Sequence, residues 1–316
     1  MRDCTMPNSQ PETIQAHDRP LVLLTGGTGY VGGRLLPLLE KKGVSLRCLA
    51  RKPADLQPRV ATSTSIVQGD VLDPASLEQA LANVTTAYYL VHLMASSADF
   101  EKQDRQAAEN FARAARQAGT KRIIYLGGLG DDDAALSPHL RSRHEVGSIL
   151  RESGVECIEF RASLVVGAGS LSFDLVKSLT NRLPVMICPR WLTTPTQPIA
   201  VDDILNYLQL AMDLPPGTSK VIEVGGPDVV SYGDIIRIYA RQKHLRRWLI
   251  SVPILTPYLS SLWLALVTPA SFEVGRHLIE GLKNPTVVRD KSAMRVFPFQ
   301  PMGIEEAICR ALESEE

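Results

Sequence analysis

Apolar residues enter this chain in two kinds of segment. Short, nearly continuous apolar runs occupy Leu21 to Leu24, Val44 to Ala50, Ser65 to Gly69, Thr86 to Val91, Lys121 to Leu126, Val155 to Ala162 and Val221 to Gly226. Between them, apolar positions recur every three or four residues, as in Leu35, Leu36, Leu38 and Leu39, or Ala107, Ala108, Phe111, Ala112 and Ala115. Short runs bounded by turn residues predict buried strands, and the longer periodic stretches predict helices. Further helices are expected around 172–181, 203–212, 232–242, 273–282 and 304–312, with Asp202 as an N-cap, and a short strand over 287–290. Strands alternating with helices predict an α/β fold, a doubly wound parallel sheet of the Rossmann type.

The boundaries follow from where this alternation starts and fails. Residues 1–19 are polar and interrupted by Pro7 and Pro11, with no apolar signal core, and read as a flexible tail. Residues 20–167 form the dinucleotide-binding unit, with returning segments over about 194–224. Residues 168–193 and 225–316 form a substrate region. No internal repeat is present.

From Trp248 to Phe272 no residue is charged, and a basic run, Lys243-His244-Leu245-Arg246-Arg247, precedes it. The stretch matches the ~20 residues a bilayer span needs, but Pro253, Pro257 and Pro269 interrupt a helix. Three readings stay open: a lid or core element over an apolar pocket, an interfacial element giving peripheral membrane contact, and a spanning helix. The first two imply a small apolar substrate.

Charge narrows the partners. The chain has 316 residues, 45% of them hydrophobic, and its 34 Lys plus Arg balance its 34 Asp plus Glu. No basic field points to nucleic acid. The five cysteines (Cys4, Cys48, Cys157, Cys188, Cys309) form no C-x-x-C pair, which argues for reduced thiols in a cytoplasmic protein and against a zinc site. Asp131-Asp132-Asp133 reads as a solvated turn rather than a metal site. A monomer or homodimer is expected.

The chemistry begins at Thr25-Gly26-Gly27-Thr28-Gly29-Tyr30-Val31-Gly32. Gly26 permits a sharp exit from the first strand, Gly29 lets a pyrophosphate approach the backbone, and Gly32 lets the helix pack on the strand. The new helix presents free amides and its positive dipole end. Strand, glycine turn and helix in this order predict dinucleotide binding. The second strand ends in Arg51-Lys52 with no acid. An acid would hold the ribose hydroxyls of NAD, whereas a cation accommodates a 2′-phosphate, so NADP(H) is favoured over NAD(H).

The spacing Gly26-x-x-Gly29-x-x-Gly32 resembles the extended and atypical branches of the short-chain dehydrogenase/reductase superfamily, over about residues 20 to 300. The segments Leu183-Pro184-Val185-Met186, Pro189-Arg190-Trp191 and Gln197-Pro198-Ile199-Ala200-Val201 look like the atypical, epimerase-like and NmrA-like branch. The resemblance implies that Thr28, Tyr30 and Val31 lie against the cofactor with the glycines, that Asp70 and Val71 lie near the adenine, and that His92 lies near the nicotinamide ribose. It also lets Gln197 touch nicotinamide or substrate.

The catalytic pattern departs from the family. Relatives end the fifth strand in a serine and follow it with Tyr-x-x-x-Lys. Here the strand ends Gly127-Gly128-Leu129-Gly130, and alignment on Leu150 and Gly154 puts His139 in the tyrosine's place and Arg143 in the lysine's. Histidine exchanges a proton near neutral pH, and arginine keeps its charge and can bind ribose hydroxyls. The expected function is an NADP(H)-dependent oxidoreductase on a hydrophobic carbonyl-type substrate, with His139 as proton donor and Arg143 as cofactor clamp. Two alternatives remain: a non-catalytic NADP(H)-binding sensor or scaffold, and an epimerase or isomerase with tightly bound NAD(P).

Overall fold

The computed structural model describes residues 20–93, 99–132, 135–188, 190–251 and 282–315. The proposed tail, all but the last residue of the helix expected over 273–282 and most of the uncharged stretch lie outside the described residues.

Seven parallel strands make the central sheet: β1 (Leu21–Thr25), β2 (Ser45–Ala50), β3 (Ser65–Gln68), β4 (Val84–Tyr89), β5 (Arg122–Gly128), β6 (Glu156–Ala162) and, later in the chain, Lys220–Val224. Their spatial order is β3-β2-β1-β4-β5-β6 and then Lys220–Val224. The order reverses between β1 and β4, and such a reversal opens a crevice at the carboxyl ends of the strands. Helices α1 (Tyr30–Lys42), α2 (Pro53–Leu56), α3 (Pro74–Leu81), α4 (Phe100–Gln117) and α5 (Pro138–Arg151) connect the strands. Lys41 and Lys42 close α1 beside the left-handed Gly43, the favoured arrangement for exposed final carbonyls. Asp73 caps α3 with Pro74 at its first position, and Ser137 caps α5.

Each sheet face carries its own core. One holds Leu35, Leu36 and Leu39 of α1 with Ile204 and Leu208. The other holds Ala107, Ala108, Phe111 and Ala115 of α4 with Leu77 and Leu150. The alanines let α4 approach the strands closely. A third cluster, with Phe173, Val176, Ile235 and Ile308, forms the core of the C-terminal region.

Several expectations are corrected. β4 stops at Tyr89 because the Leu90 amide donates to the Thr25 hydroxyl at 3.1 Å, and the strand's extension to Val91 becomes a loop. β5 runs on through Gly127 and Gly128, which pair with Arg161 and Ala162. Asp202 is not a cap: the helix Val201–Leu210 starts after Ala200 with no side-chain cap bond. Asp203 is buried instead and accepts the Met302 amide at 2.9 Å. Residues 287–290 form no strand, because the Val288 amide donates to Gln197 and the Arg289 and Asp290 amides donate to the Glu223 carboxylate.

Of the uncharged stretch, Trp248–Ser251 is described. It pairs in parallel with Val185–Cys188, setting Trp248 opposite Val185 and Ile250 opposite Ile187. All four of these side chains are exposed, Trp248 at 71%. Among the described residues no helix is long and apolar enough to cross a membrane.

Candidate cofactor and active site

Two cavities meet at the carboxyl ends of β1, β4, β5 and β6. The first, about 430 Å³, runs along the glycine turn and is lined by Gly26, Gly29, Tyr30, Val31, Gly32, Arg51, Asp70, Val71, His92 and Arg143. Most residues singled out in the sequence therefore share one wall. Two do not line it: Thr28 is exposed on the turn, and Lys52 is exposed at the start of α2.

The cradle is tight where the chain crosses itself and open where a ligand would lie. Gly26 has φ +73°, and a Cβ on it would stand 2.5 Å from the Leu90 carbonyl oxygen. A Cβ on Gly32 would stand 2.2 Å from the Gly26 oxygen, so α1 rests directly on the turn. A Cβ on Gly29 would meet nothing within 4 Å except that same oxygen, at 3.1 Å. Gly29 precedes α1 without any side-chain cap bond. The first-turn amides of α1 have no carbonyl partners within the helix and face the groove as an anion site. The residues fit a dinucleotide pyrophosphate.

The second cavity, about 130 Å³, lies on the C-terminal side and is lined by Leu129, His139, Leu140, Leu164, Leu175, Val176, Leu179 and Ile236, with Ser163, Ser172, Tyr232 and Thr286 as polar members. Ser163 Oγ sits 2.6 Å from both Thr196 Oγ1 and Thr286 Oγ1. The lining is mainly aliphatic.

His92 and His139 bridge the two cavities. His92 lines the first and His139 the second, and His92 Nε2 lies 3.2 Å from His139 Nδ1. His92 Nδ1 lies 3.2 Å from Asp104 Oδ2. Asp104 is buried on α4, where its carboxylate also accepts from Ser142 Oγ at 2.9 Å and from the Leu93 amide at 3.1 Å. Burial pushes the His92 ring below the ordinary imidazole value, outweighing its bond to Asp104, and the Arg143 charge adds to the lowering. Burial works against an ionised Asp104, but the His92 and Ser142 hydrogen bonds overcome it and hold the carboxyl below its usual range.

Arg143 stands one helical turn from His139. Its guanidinium donates to the Leu126 carbonyl and lies 5.1 Å from the Tyr125 ring centre, within the first cavity. No strand tyrosine replaces the family's proton donor: Tyr88, Tyr89 and Tyr125 are buried in the sheet, and burial raises all three, Tyr125 to about 12. At the end of β5, where relatives carry a serine, Gly127-Gly128-Leu129-Gly130 offers none, and a Cβ on Gly128 would fall 2.8 Å from Leu140 Cδ2.

Other expected residues have structural roles. Gln197 donates its Nε2 to the Gly226 carbonyl at 2.6 Å and accepts the Val288 amide on Oε1 at 3.0 Å, and it lines neither cavity. Asp131 pairs with Arg289, and Asp132 with Arg161 and His144. No metal-holding cluster occurs among the described residues.

Asp104 and Ser142 were missed in the sequence. An acid inside the apolar stripe of α4 was the available signal for the first. Ser142 carried none, because its partner lies 38 positions away.

Residues 26–160 match the family model described as NAD(P)H-binding. The chain carries an NAD(P)H-binding domain. This domain is similar to a 3-beta-hydroxysteroid dehydrogenase of Mycolicibacterium neoaurum, 28% identical over 114 residues, which covers 33% of this chain and 31% of that protein. It is also similar to an NAD(P)H azoreductase of Xenophilus azovorans, 27% identical over 110 residues, covering 35% and 36%. The match thus spans about a third of each of these curated relatives. Likeness of fold extends further. The triphenylmethane reductase of Citrobacter sp. superposes with a TM-score of 0.74 at 15% identity, covering 93% of this chain and 99% of that one. The NADPH-dependent quinone oxidoreductase QOR2 of Escherichia coli, complexed with NADPH, superposes at 0.73 and 18% identity, covering 92% and 99%. The resemblance to the atypical, epimerase-like short-chain dehydrogenase/reductases is supported by the NAD(P)H-binding domain and by this fold.

Proposed function

We propose that this protein is an NADP(H)-dependent oxidoreductase acting on a hydrophobic carbonyl-type substrate. The observation that carries the reading is the His92–His139 pair, which joins the wall of the dinucleotide groove to the wall of an aliphatic cavity. A reduced nicotinamide, when bound, supplies a hydride. Arg143 would hold the cofactor ribose, Arg51 the 2′-phosphate, and the α1 amides the pyrophosphate. His139 would give a proton to the substrate oxygen while carbon accepts the hydride, so a carbonyl becomes an alcohol. Relatives named as reductases of triphenylmethane dyes, quinones and azo compounds support an apolar, conjugated acceptor as the class to try first.

The test is NADPH and NADH titration of the full chain, followed by NADPH oxidation with quinones and aromatic carbonyls for the wild type and His139→Ala. Tight NADPH binding in both proteins, with turnover in the wild type alone, is expected. Equal turnover in both removes His139 from the chemistry.

A second reading, an NADP(H)-binding sensor without turnover, draws on the missing serine at Gly127-Gly128-Leu129-Gly130 and on His139 and Arg143 in place of the usual tyrosine and lysine. Full binding with no turnover on any acceptor would favour it. A cofactor released only on denaturation would favour the epimerase-like alternative. The exposed Trp248, Ile250, Val185 and Ile187, beside Arg246 and Arg247, support peripheral contact with an anionic membrane surface.

A further inference from the structure

The sequence suggested a lone histidine as acid. The structure contains a chain of three groups from three places: Asp104 on α4, His92 in the loop after β4, and His139 on α5. The directions of its hydrogen bonds follow from the charge states. Asp104 is ionised and can only accept, so it takes the proton on His92 Nδ1 together with the Ser142 hydroxyl proton and the Leu93 amide. His92 is kept neutral by burial. Its Nε2 therefore carries a lone pair and accepts from His139 Nδ1–H. His139 is then fixed as the Nδ1–H tautomer, with Nε2 as the position that gains and releases a proton.

We propose that the Asp104–His92 pair is a positioning device that fixes the tautomer of His139 and raises its affinity for the proton it delivers into the aliphatic cavity. This use rests on the oxidoreductase reading, although the hydrogen-bond chain does not. When His139 gains a proton at Nε2, every link stays satisfied: Asp104 carboxylate, neutral His92 donating from Nδ1, and His139 imidazolium donating from Nδ1. No ring must turn, and no proton must leave the chain. The Asp104 charge, one imidazole away, favours that cation, and because Asp104 itself is buried the attraction is only partly screened. Arg143 on α5 acts in the opposite sense on His92, which helps keep the extra proton on His139 rather than on His92. Ser142 and the Leu93 amide are what let an ionised carboxylate persist on the buried side of α4.

The experiment is NMR of the full chain with ¹⁵N-labelled histidine, read for tautomer and titration midpoint of His139 in the wild type, Asp104→Asn and His92→Leu. Asp104→Asn can set an amide NH2 against the His92 donor, whereas His92→Leu cuts the chain and leaves Asp104 its bonds from Ser142 and the Leu93 amide, so it serves if Asp104→Asn fails to fold. In the wild type the neutral His139 ring should carry its proton on Nδ1. In either variant its midpoint should fall by about one pH unit, a tenfold change in proton affinity, and the tautomers should mix. The acid-dependent limb of turnover should move down by the same amount while the Kd for NADPH changes less than twofold. An Nε2–H tautomer in the wild type, or an unmoved midpoint in a folded variant, overturns the proposal. A shifted midpoint together with full turnover by His139→Ala would instead leave the chain standing and overturn its catalytic use.

Discussion

Gly32→Ala and Gly33→Ala make a matched pair that tests how α1 is seated on the dinucleotide turn. The two glycines are neighbours in the first turns of one helix, so helix propensity favours alanine at both by up to about 1 kcal/mol. Their surroundings differ. A Cβ on Gly32 would lie 2.2 Å from the Gly26 carbonyl oxygen and 2.8 Å from its carbon, both backbone atoms. An ordinary carbon–oxygen contact is about 3.3 Å, so α1 must lift from the turn by about 1 Å. Gly26 cannot yield easily, because it is itself pinned against the Leu90 carbonyl. A Cβ on Gly33 would lie 3.2 Å from the Gly27 oxygen and 3.9 Å from an Arg59 nitrogen, which a shift of a few tenths of an ångström relieves. Overpacking typically costs 1–3 kcal/mol. For Gly32→Ala a net loss of about 2 kcal/mol is expected, lowering Tm by about 3 °C for a chain of this size. NADPH affinity should fall at least about tenfold, or 1.4 kcal/mol, because the amides that face the pyrophosphate move with the helix. Gly33→Ala should stay within about 0.5 kcal/mol of the wild type. Calorimetry and NADPH titration of both variants provide the check. Equal behaviour of the two, or a Gly32→Ala protein that binds NADPH normally, would refute the reasoning.

Four other outcomes are expected. Arg51→Ala should weaken NADPH by about tenfold and leave NADH nearly unchanged, since the guanidinium would meet only the 2′-phosphate; equal losses for both cofactors would exclude that role. Glu159→Gln should destabilise the fold by about 3 kcal/mol in urea unfolding, because the fully buried carboxylate sits between Arg151 and Arg161 and its loss removes a charge partner from both, leaving buried Arg161 with Asp132 alone; an unchanged midpoint would show the pairs to be dispensable. Thermal stability should fall on acidification, because the folded His92 value is depressed: its contribution is full above the ordinary value of about 6.5 and is lost as pH falls through the lower folded value. His92→Gln should flatten that decline, and an identical profile would assign it to other groups. Full-length protein should co-sediment with vesicles rich in anionic lipid, and Trp248→Ser with Ile250→Ser should reduce this several-fold; no sedimentation of the wild type ends the membrane reading.

The sequence alone determined the parts whose physics is local. Alternating apolar runs and helical periods specified the parallel sheet, because each period is set by side-chain direction within a single element. The glycine turn, the Lys41-Lys42-Gly43 stop and the Asp73-Pro74 start act within a few residues and were legible for that reason. The turn also specified a dinucleotide site, since its glycines and its helix start are adjacent in the chain.

Tertiary structure decided what depends on residues far apart in sequence. Asp202 and Asp203 look equivalent in a helix start, yet only packing placed Asp203 inward against Met302. Residues 287–290 had strand-like composition, but the Glu223 and Gln197 side chains took their amides. His92 and His139 were each visible as titratable residues at strand and helix positions. Their contact, 47 positions apart, and the buried Asp104 behind them arise where the carboxyl end of β4 faces α4 and α5. A hydrogen bond carries direction and charge only once both partners and their burial are fixed. The sequence could therefore identify a nicotinamide site with a histidine near it, while only the folded chain decided which histidine faces which, and in what protonation state.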